Sequence, residues 1–275
     1  MELTSREYKL TLDPAAFAGD PQSLVAANDG FWTTVRALLV QNGITVKGDA
    51  DSAEAGKKRQ LYFLDTLQSQ GSAKGALLRD AGLVYRLRRR VDSDGDWTAT
   101  LKFRHGDRLL ADSEDFAAVD PEGEVKFEED IKAARGVEGP GFWALFSRSA
   151  SVKVNGAEEF RTVGDCLAPF KDLREATLPP SNGPVAVVNG LRVTEHVYEG
   201  WKLDFEDAES ECALILWWDT NPVVPIAAEF SFRFDLVDGK IKADIARDAW
   251  KVIGILYDTR WVAREGSTKT QLVYG

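Results

Sequence analysis

Polar and apolar positions alternate along much of the chain. Over residues 5–12, Ser5, Glu7, Lys9 and Thr11 share one face, while Tyr8, Leu10 and Leu12 share the other. That period of two predicts a strand, which Asp13-Pro14 ends. In 84–91, Arg86, Arg88 and Arg90 alternate with Tyr85, Leu87 and Val91. In 97–104, Thr98, Thr100, Lys102 and Arg104 alternate with Trp97, Ala99, Leu101 and Phe103. Residues 125–131 set Lys126, Glu128 and Asp130 against Val125, Phe127 and Ile131. Residues 229–236 set Glu229, Ser231, Arg233 and Asp235 against Phe230, Phe232, Phe234 and Leu236. Further strands are predicted over 61–66, 151–154, 185–197, 201–205 and 212–218, and Asp92-Ser93-Asp94-Gly95-Asp96 reads as a turn between two of the strong strands.

A helical period appears over 22–42, where Leu24, Val25, Phe31, Trp32, Val35, Leu38 and Leu39 recur before Asn42-Gly43, and again over 244–257. Shorter helices are predicted near 140–148 and 164–175, with a brief helix or turn over 69–81. Pro179 to Pro184 is the one linker-like run. Neither side of it holds a complete sheet, so the expectation is one domain over 1–275, made of strand-rich halves 1–178 and 185–275 joined by this Pro-rich linker. The alternating strands suit two arrangements: a sheet with a charged outer face, or a barrel with a charged lumen and an apolar outside covered by helices. Period two is identical in both.

Composition narrows the partners. There are 44 acidic and 34 basic residues among 275, a net charge of −10. A surface of that sign repels nucleic acid polymers and anionic membranes. The apolar runs are too short to span a bilayer, and the N-terminus is polar, so a cytoplasmic protein is expected. Cys166 and Cys212 stand far apart in no metal-ligand spacing, and with two histidines any metal would need oxygen ligands. No Walker loop, dinucleotide fingerprint or Gly-x-Ser-x-Gly elbow is present.

The order of the charged strands resembles the CYTH family, the triphosphate tunnel metalloenzymes. Glu7-Tyr8-Lys9, Tyr62-Phe63-Leu64-Asp65-Thr66, Tyr85-Arg86-Leu87-Arg88, Thr100-Leu101-Lys102, Lys126-Phe127-Glu128-Glu129-Asp130 and Glu229-Phe230-Ser231 are similar to its motifs and follow their order over about 5–235. The resemblance implies an α+β, mainly antiparallel fold: an eight-stranded tunnel barrel with helices packed outside. It also implies Mg²⁺ or Mn²⁺ and hydrolysis of a small triphosphate, inorganic or borne by thiamine or a nucleotide. Binding of a polyphosphate without turnover, and cyclisation of ATP, would use the same lumen.

Position by position, the resemblance makes Lys9 and Lys102 catalytic and Arg86, Arg88, Lys126 and Arg192 substrate-binding. It makes Glu7, Glu128, Asp130, Asp204 and Glu229 metal ligands. Convergent lysines and arginines would neutralise a triphosphate and the charge that develops in phosphoryl transfer, while carboxylates would hold a hard cation. The chain departs from the family pattern at Ser5 and Ser231, where glutamates are expected. Asp130 has a shorter arm than glutamate, and Lys126 lacks the guanidinium fork of arginine.

Overall fold

The computed structural model describes residues 1–66, 75–91, 96–136, 139–174, 178–263 and 269–275, with backbone alone over 134–136 and 139–141. In chain order the strands are β1 (Ser5–Leu12), β2 (Thr45–Lys47), β3 (Lys57–Thr66), β4 (Leu83–Arg90), β5 (Trp97–His105) and β6 (Ala117–Ala118). They continue with β7 (Glu124–Gly136), β8 (Gly139–Val154), β9 (Phe170–Lys171), β10 (Val185–Asp204), β11 (Glu209–Trp218) and β12 (Ala227–Asp235). The α-helices are α1 (Pro21–Gln41), α2 (Leu77–Asp80), α3 (Arg108–Asp112), α4 (Val163–Leu167), α5 (Ala243–Tyr257) and α6 (Lys269–Tyr274).

Hydrogen-bonded neighbours run β11-β12-β1-β7-β8-β5-β4-β3-β10, and β10 pairs back to β11, so nine strands close a barrel. The barrel is mixed: β1 lies parallel to β7 and antiparallel to β12. The expected eight antiparallel strands are thus corrected to nine with one parallel pair. Strands from both sides of the Pro-rich run enter the same ring, and β10 hydrogen-bonds directly to β3.

Apolar faces point outward into two layers. On one side α1 and α5 bury Phe31, Trp32, Val35, Leu39, Val252, Ile253 and Leu256 against Tyr8, Leu10, Phe230 and Phe232 of the barrel wall. Each such side chain contributes about 1.5–3 kcal/mol on burial. Asp20 starts α1 by accepting the Ser23 N–H at 2.8 Å, with Pro21 in the first turn, and Gly43 ends it at a left-handed φ of 79°. The opposite wall buries Tyr85, Leu87, Ala99 and Leu101 under Phe116, Phe160, Val163 and Cys166. With both outer faces covered, the charged faces of the strands are left to the lumen.

Three local expectations are corrected. Residues 140–148 belong to strand β8, not a helix. Ser149 and Ser151 face the lumen while Ala150 and Val152 face the outer core, a period of two that belongs to a strand. The helix read over 164–175 is the single turn α4, because Pro169 has no N–H with which to continue the helical hydrogen bonds and β9 follows. The strands read over 185–197 and 201–205 are one 20-residue strand, kinked where its register against β11 shifts between Glu199 and Lys202. Residues 92–95 of the expected turn, 67–74 near the expected 69–81 helix, and Ala176-adjacent positions 175–177 lie outside the described residues.

Candidate functional site: a charged barrel lumen

The barrel encloses a cavity of about 1120 Å³. Alternation decides what lines it: the residues that face away from the two outer layers face in. β4 presents Arg86 and Arg88, β5 presents Thr100, Lys102 and Arg104, β7 presents Lys126, Glu128 and Lys132, and β12 presents Glu229, Ser231 and Arg233. At one end the lining is exposed, as at Lys202, Glu211 and Asp235, and the pairs Lys57–Glu199 and Arg233–Asp235 form a rim. At the other end α6 closes the floor. Val273 is fully buried against Leu61, Phe63, Val193 and Trp217, while Lys269 and Thr270 reach into the lumen. Lys269 Nζ lies 2.8 Å from Glu229 Oε1, and Arg104 Nη1 donates to Thr270 Oγ1 at 2.7 Å.

Basic side chains crowd the middle of the lumen. Among the described residues, neither Arg86 nor Arg88 has a carboxylate within ion-pair distance, and the Arg86 Nε is buried without a hydrogen-bond partner. Burial first, and then the neighbouring charge of Arg88, bring the Arg86 guanidinium down to about 10; Glu195 acts against them, and Arg104 and Arg59 add smaller repulsions. Lys132 is likewise without a carboxylate partner at ion-pair distance, and burial lowers it to about 8 despite Glu229. Guanidinium nitrogens that have left bulk water without an acceptor are costly, and an anion among them would relieve both the desolvation and the repulsion.

The carboxylates, by contrast, are taken. Lys9 Nζ sits 2.8 Å from Glu7 Oε2 and 2.9 Å from Asp130 Oδ1. Burial alone would lower Lys9, but Asp130, Glu7 and Glu229 outweigh it and hold the ammonium well above its ordinary range. Lys102 lies 3.0 Å from Glu128 and brings it to about 2, while Ser5 Oγ donates to the other oxygen of Glu128 at 3.3 Å. Lys102 itself is lowered, because burial and the charges of Arg104 and Lys9 exceed what Glu128 returns. Glu195 accepts from Arg59 at 3.0 Å and from Trp217 Nε1 at 2.9 Å. A divalent cation needs about six oxygen donors free to turn toward one point. Among the described residues no group of three or more His, Cys, Asp or Glu is disposed to hold a metal ion, and the lumen carboxylates face lysines and arginines. As arranged, this donor set does not fit a divalent ion.

The lumen brings together Glu7, Lys9, Arg86, Arg88, Lys102, Lys126, Glu128 and Glu229, with Asp130 buried behind Lys9. Lys126 stands toward the rim, paired with Glu124 at 2.9 Å. Two candidates lie elsewhere. Arg192 is on the outer face of β10, its guanidinium over the Tyr62 ring at 5.5 Å. Asp204 is at the strand's end, 2.8 Å from Lys47 of β2. His196 also faces outward against Trp218, and burial lowers it to about 4, so it is neutral near pH 7. Asp65 is structural: its carboxylate accepts the N–H groups of Leu78 and Arg79 and caps α2.

Some lumen residues were not singled out by the motifs. Lys132 continues the Lys126, Glu128, Asp130 face once β7 is extended to Gly136, and Arg59 does the same once β3 begins at Lys57. Glu195 lies on the odd-numbered face of β10, which its apolar neighbours Val193 and Val197 disguise. Lys269 comes from a helix that carries no alternation. No helix among the described residues is long and apolar enough to cross a membrane. The chain matches no protein-family model, and no curated protein matches it.

Proposed function

We propose that the barrel is a receptor for a small polyphosphate, held lengthwise in the lumen by Arg86, Arg88, Arg104, Lys102 and Lys132. The observation that carries this reading is the Arg86 guanidinium, enclosed beside like charges with its Nε unpartnered. Such a group is a poor device for stability and a good one for an anion, because each phosphoryl oxygen accepts from the fork that the protein leaves unused. The cavity volume suits a chain of a few phosphates with a small organic group, and the acid-rich rim disfavours a polymer lying across the mouth.

Titration calorimetry with tripolyphosphate, thiamine triphosphate and ATP tests the reading. Binding of at least one, lost when Arg86 and Arg88 are both replaced by Met, is the expected result. Absence of heat and of any thermal shift with all three would sink it. Hydrolysis of the bound chain is the second reading, favoured by the convergence of cations from β1, β4, β5 and β7 on one space. Fixed positive charge of that kind stabilises the charge that builds on a phosphoryl group during transfer. Phosphate release assayed with Mg²⁺, with Mn²⁺ and with chelator separates binding from turnover.

A further inference from the structure

We infer that the lumen neutralises its polyphosphate with its own ammonium and guanidinium groups and needs no divalent ion to hold it. This rests on the reading of the lumen as a polyphosphate receptor. Three carboxylates act on the Lys9 ammonium, Glu7 and Asp130 at ion-pair distance and Glu229 through its field. Glu7 and Lys9 are two residues apart on one face of β1, so the strand that supplies a carboxylate also supplies the cation that answers it. Asp130 is 2 % exposed, which leaves little room for the water ligands a Mg²⁺ ion keeps.

The same arrangement repeats across the lumen. Glu128 is answered by Lys102, Glu195 by Arg59, and Glu229 by Lys269, the last delivered by α6 from outside the strand ring. The two lumen positions where further carboxylates are expected are Ser5 and Ser231, both buried and neutral. A serine hydroxyl cannot replace the charge of a glutamate in a site for a hard cation.

Charge counting points the same way. The deep carboxylates are Glu7, Glu128, Asp130, Glu195 and Glu229. Five cations pair with them, Lys9 serving two and Arg104 reaching Asp130 at 3.9 Å, and Arg86, Arg88 and Lys132 stand in addition. The described lumen therefore carries more fixed cations than carboxylates before any ligand arrives. A small polyphosphate of several negative charges matches that surplus directly. Adding two divalent ions would overshoot it and place them beside buried ammonium groups, at the high cost of like charges in a low-dielectric space.

The test is calorimetry of tripolyphosphate on the full chain, once with chelator and once with saturating Mg²⁺ or Mn²⁺. The expected result is the same affinity within about threefold under both conditions. A second measurement, Mn²⁺ titration of the ligand-free protein followed by electron paramagnetic resonance, should show no bound ion, whereas Lys9→Met, which strips the cation from its carboxylates, should create or strengthen Mn²⁺ binding. Should Lys9→Met fail to fold, Lys269→Met puts the same question to Glu229. Binding at least about tenfold weaker in chelator overturns the inference and leaves the receptor reading standing. Bound Mn²⁺ in the ligand-free wild type also overturns it. No tripolyphosphate binding under either condition overturns both.

Discussion

Lys102 meets Glu128 at 3.0 Å although their strands, β5 and β7, are not neighbours in the barrel. The strand between them is β8, which presents Ser149 opposite both Lys102 and Lys126, and Ser147 opposite Glu128. These short side chains leave the space in which two long ones can join over the top of β8. A small residue on the middle strand is therefore as much a part of this ion pair as its two charged ends.

That pair makes stability depend on acid. Glu128 is held near 2 by Lys102, below its ordinary value, and Asp130, Glu195 and Glu229 are also lowered in the folded chain. A carboxylate whose folded value is depressed contributes stability above its unfolded value and loses it as pH falls toward the folded one. Urea unfolding should show stability declining from about pH 4.5 down to about pH 2, with Glu128 alone contributing on the order of 2–3 kcal/mol. Glu128→Gln should shallow that acid limb. An unchanged limb would show that the pair is not coupled to folding.

Arg86 makes the opposite prediction. Its charge is costly in the free protein, so Arg86→Met should leave the melting temperature unchanged or raise it, by roughly 2–4 °C for each kcal/mol relieved. The same variant should lose about tenfold or more in tripolyphosphate affinity. Differential scanning calorimetry with and without the anion reads both effects. A variant that melts lower and binds as before would mark Arg86 as structural.

The legibility of the site in the sequence follows from these strands. Where one strand keeps a strict period of two against a covered outer face, as in Arg86 and Arg88 of β4 or Glu229 to Asp235 of β12, the inward residues are readable directly. Period two does not say which face is inward, and closure of the ring with helices over Tyr8, Phe230 and Phe232 answers that. β10 defeats the reading because its register against β3 shifts between Val187 and Arg192, near Asn189 and Gly190 with φ of 52° and 65°. The shift is three residues, since Val187 faces Leu64 and Arg192 faces Tyr62, and an odd shift exchanges the two faces, so Arg192 turns out and Glu195 turns in. Lys269 is beyond any strand pattern, since a tertiary contact of α6 alone brings it to Glu229.

The slip in β10 is itself testable. Arg192→Ala removes a guanidinium that lies over Tyr62 outside the barrel, so tripolyphosphate affinity should stay within about twofold of wild type. Arg88→Ala, inside, should weaken it by about tenfold. Calorimetry on the two variants side by side distinguishes the faces, and equal losses would contradict the assigned orientation of β10.

Lys132 sets an upper pH limit for the anion. Burial lowers it to about 8, whereas Arg86 keeps its charge to about 10. As pH rises through 8 the folded chain loses the Lys132 proton that the unfolded chain retains, so free-protein stability gains slightly while the lumen loses a cation. Affinity for tripolyphosphate should therefore fall between about pH 7 and 9 more steeply in wild type than in Lys132→Met. Parallel pH profiles of the two proteins would dismiss a charged role for Lys132.

The floor of the lumen depends on one apolar side chain. Val273 is fully buried on α6 among Leu61, Phe63, Val193 and Trp217, and it holds the helix whose first residue is Lys269. Val273→Asp would bury an unpaired charge there, or expel α6 to avoid it, at a cost of about 3 kcal/mol or more. Either way Glu229 loses its lysine and the floor opens. Hydrogen exchange should then rise over 269–275 and along the floor ends of β3 and β11, with α1 and α5 unaffected because their contacts lie on the outer wall. Val273→Ile, which keeps the apolar contact, should leave exchange in α6 as it was. If Val273→Asp leaves α6 protected and Lys269 still paired, the helix is fixed by something other than this contact, with Asn189, whose amide donates to the Val273 carbonyl at 2.9 Å, the next residue to replace.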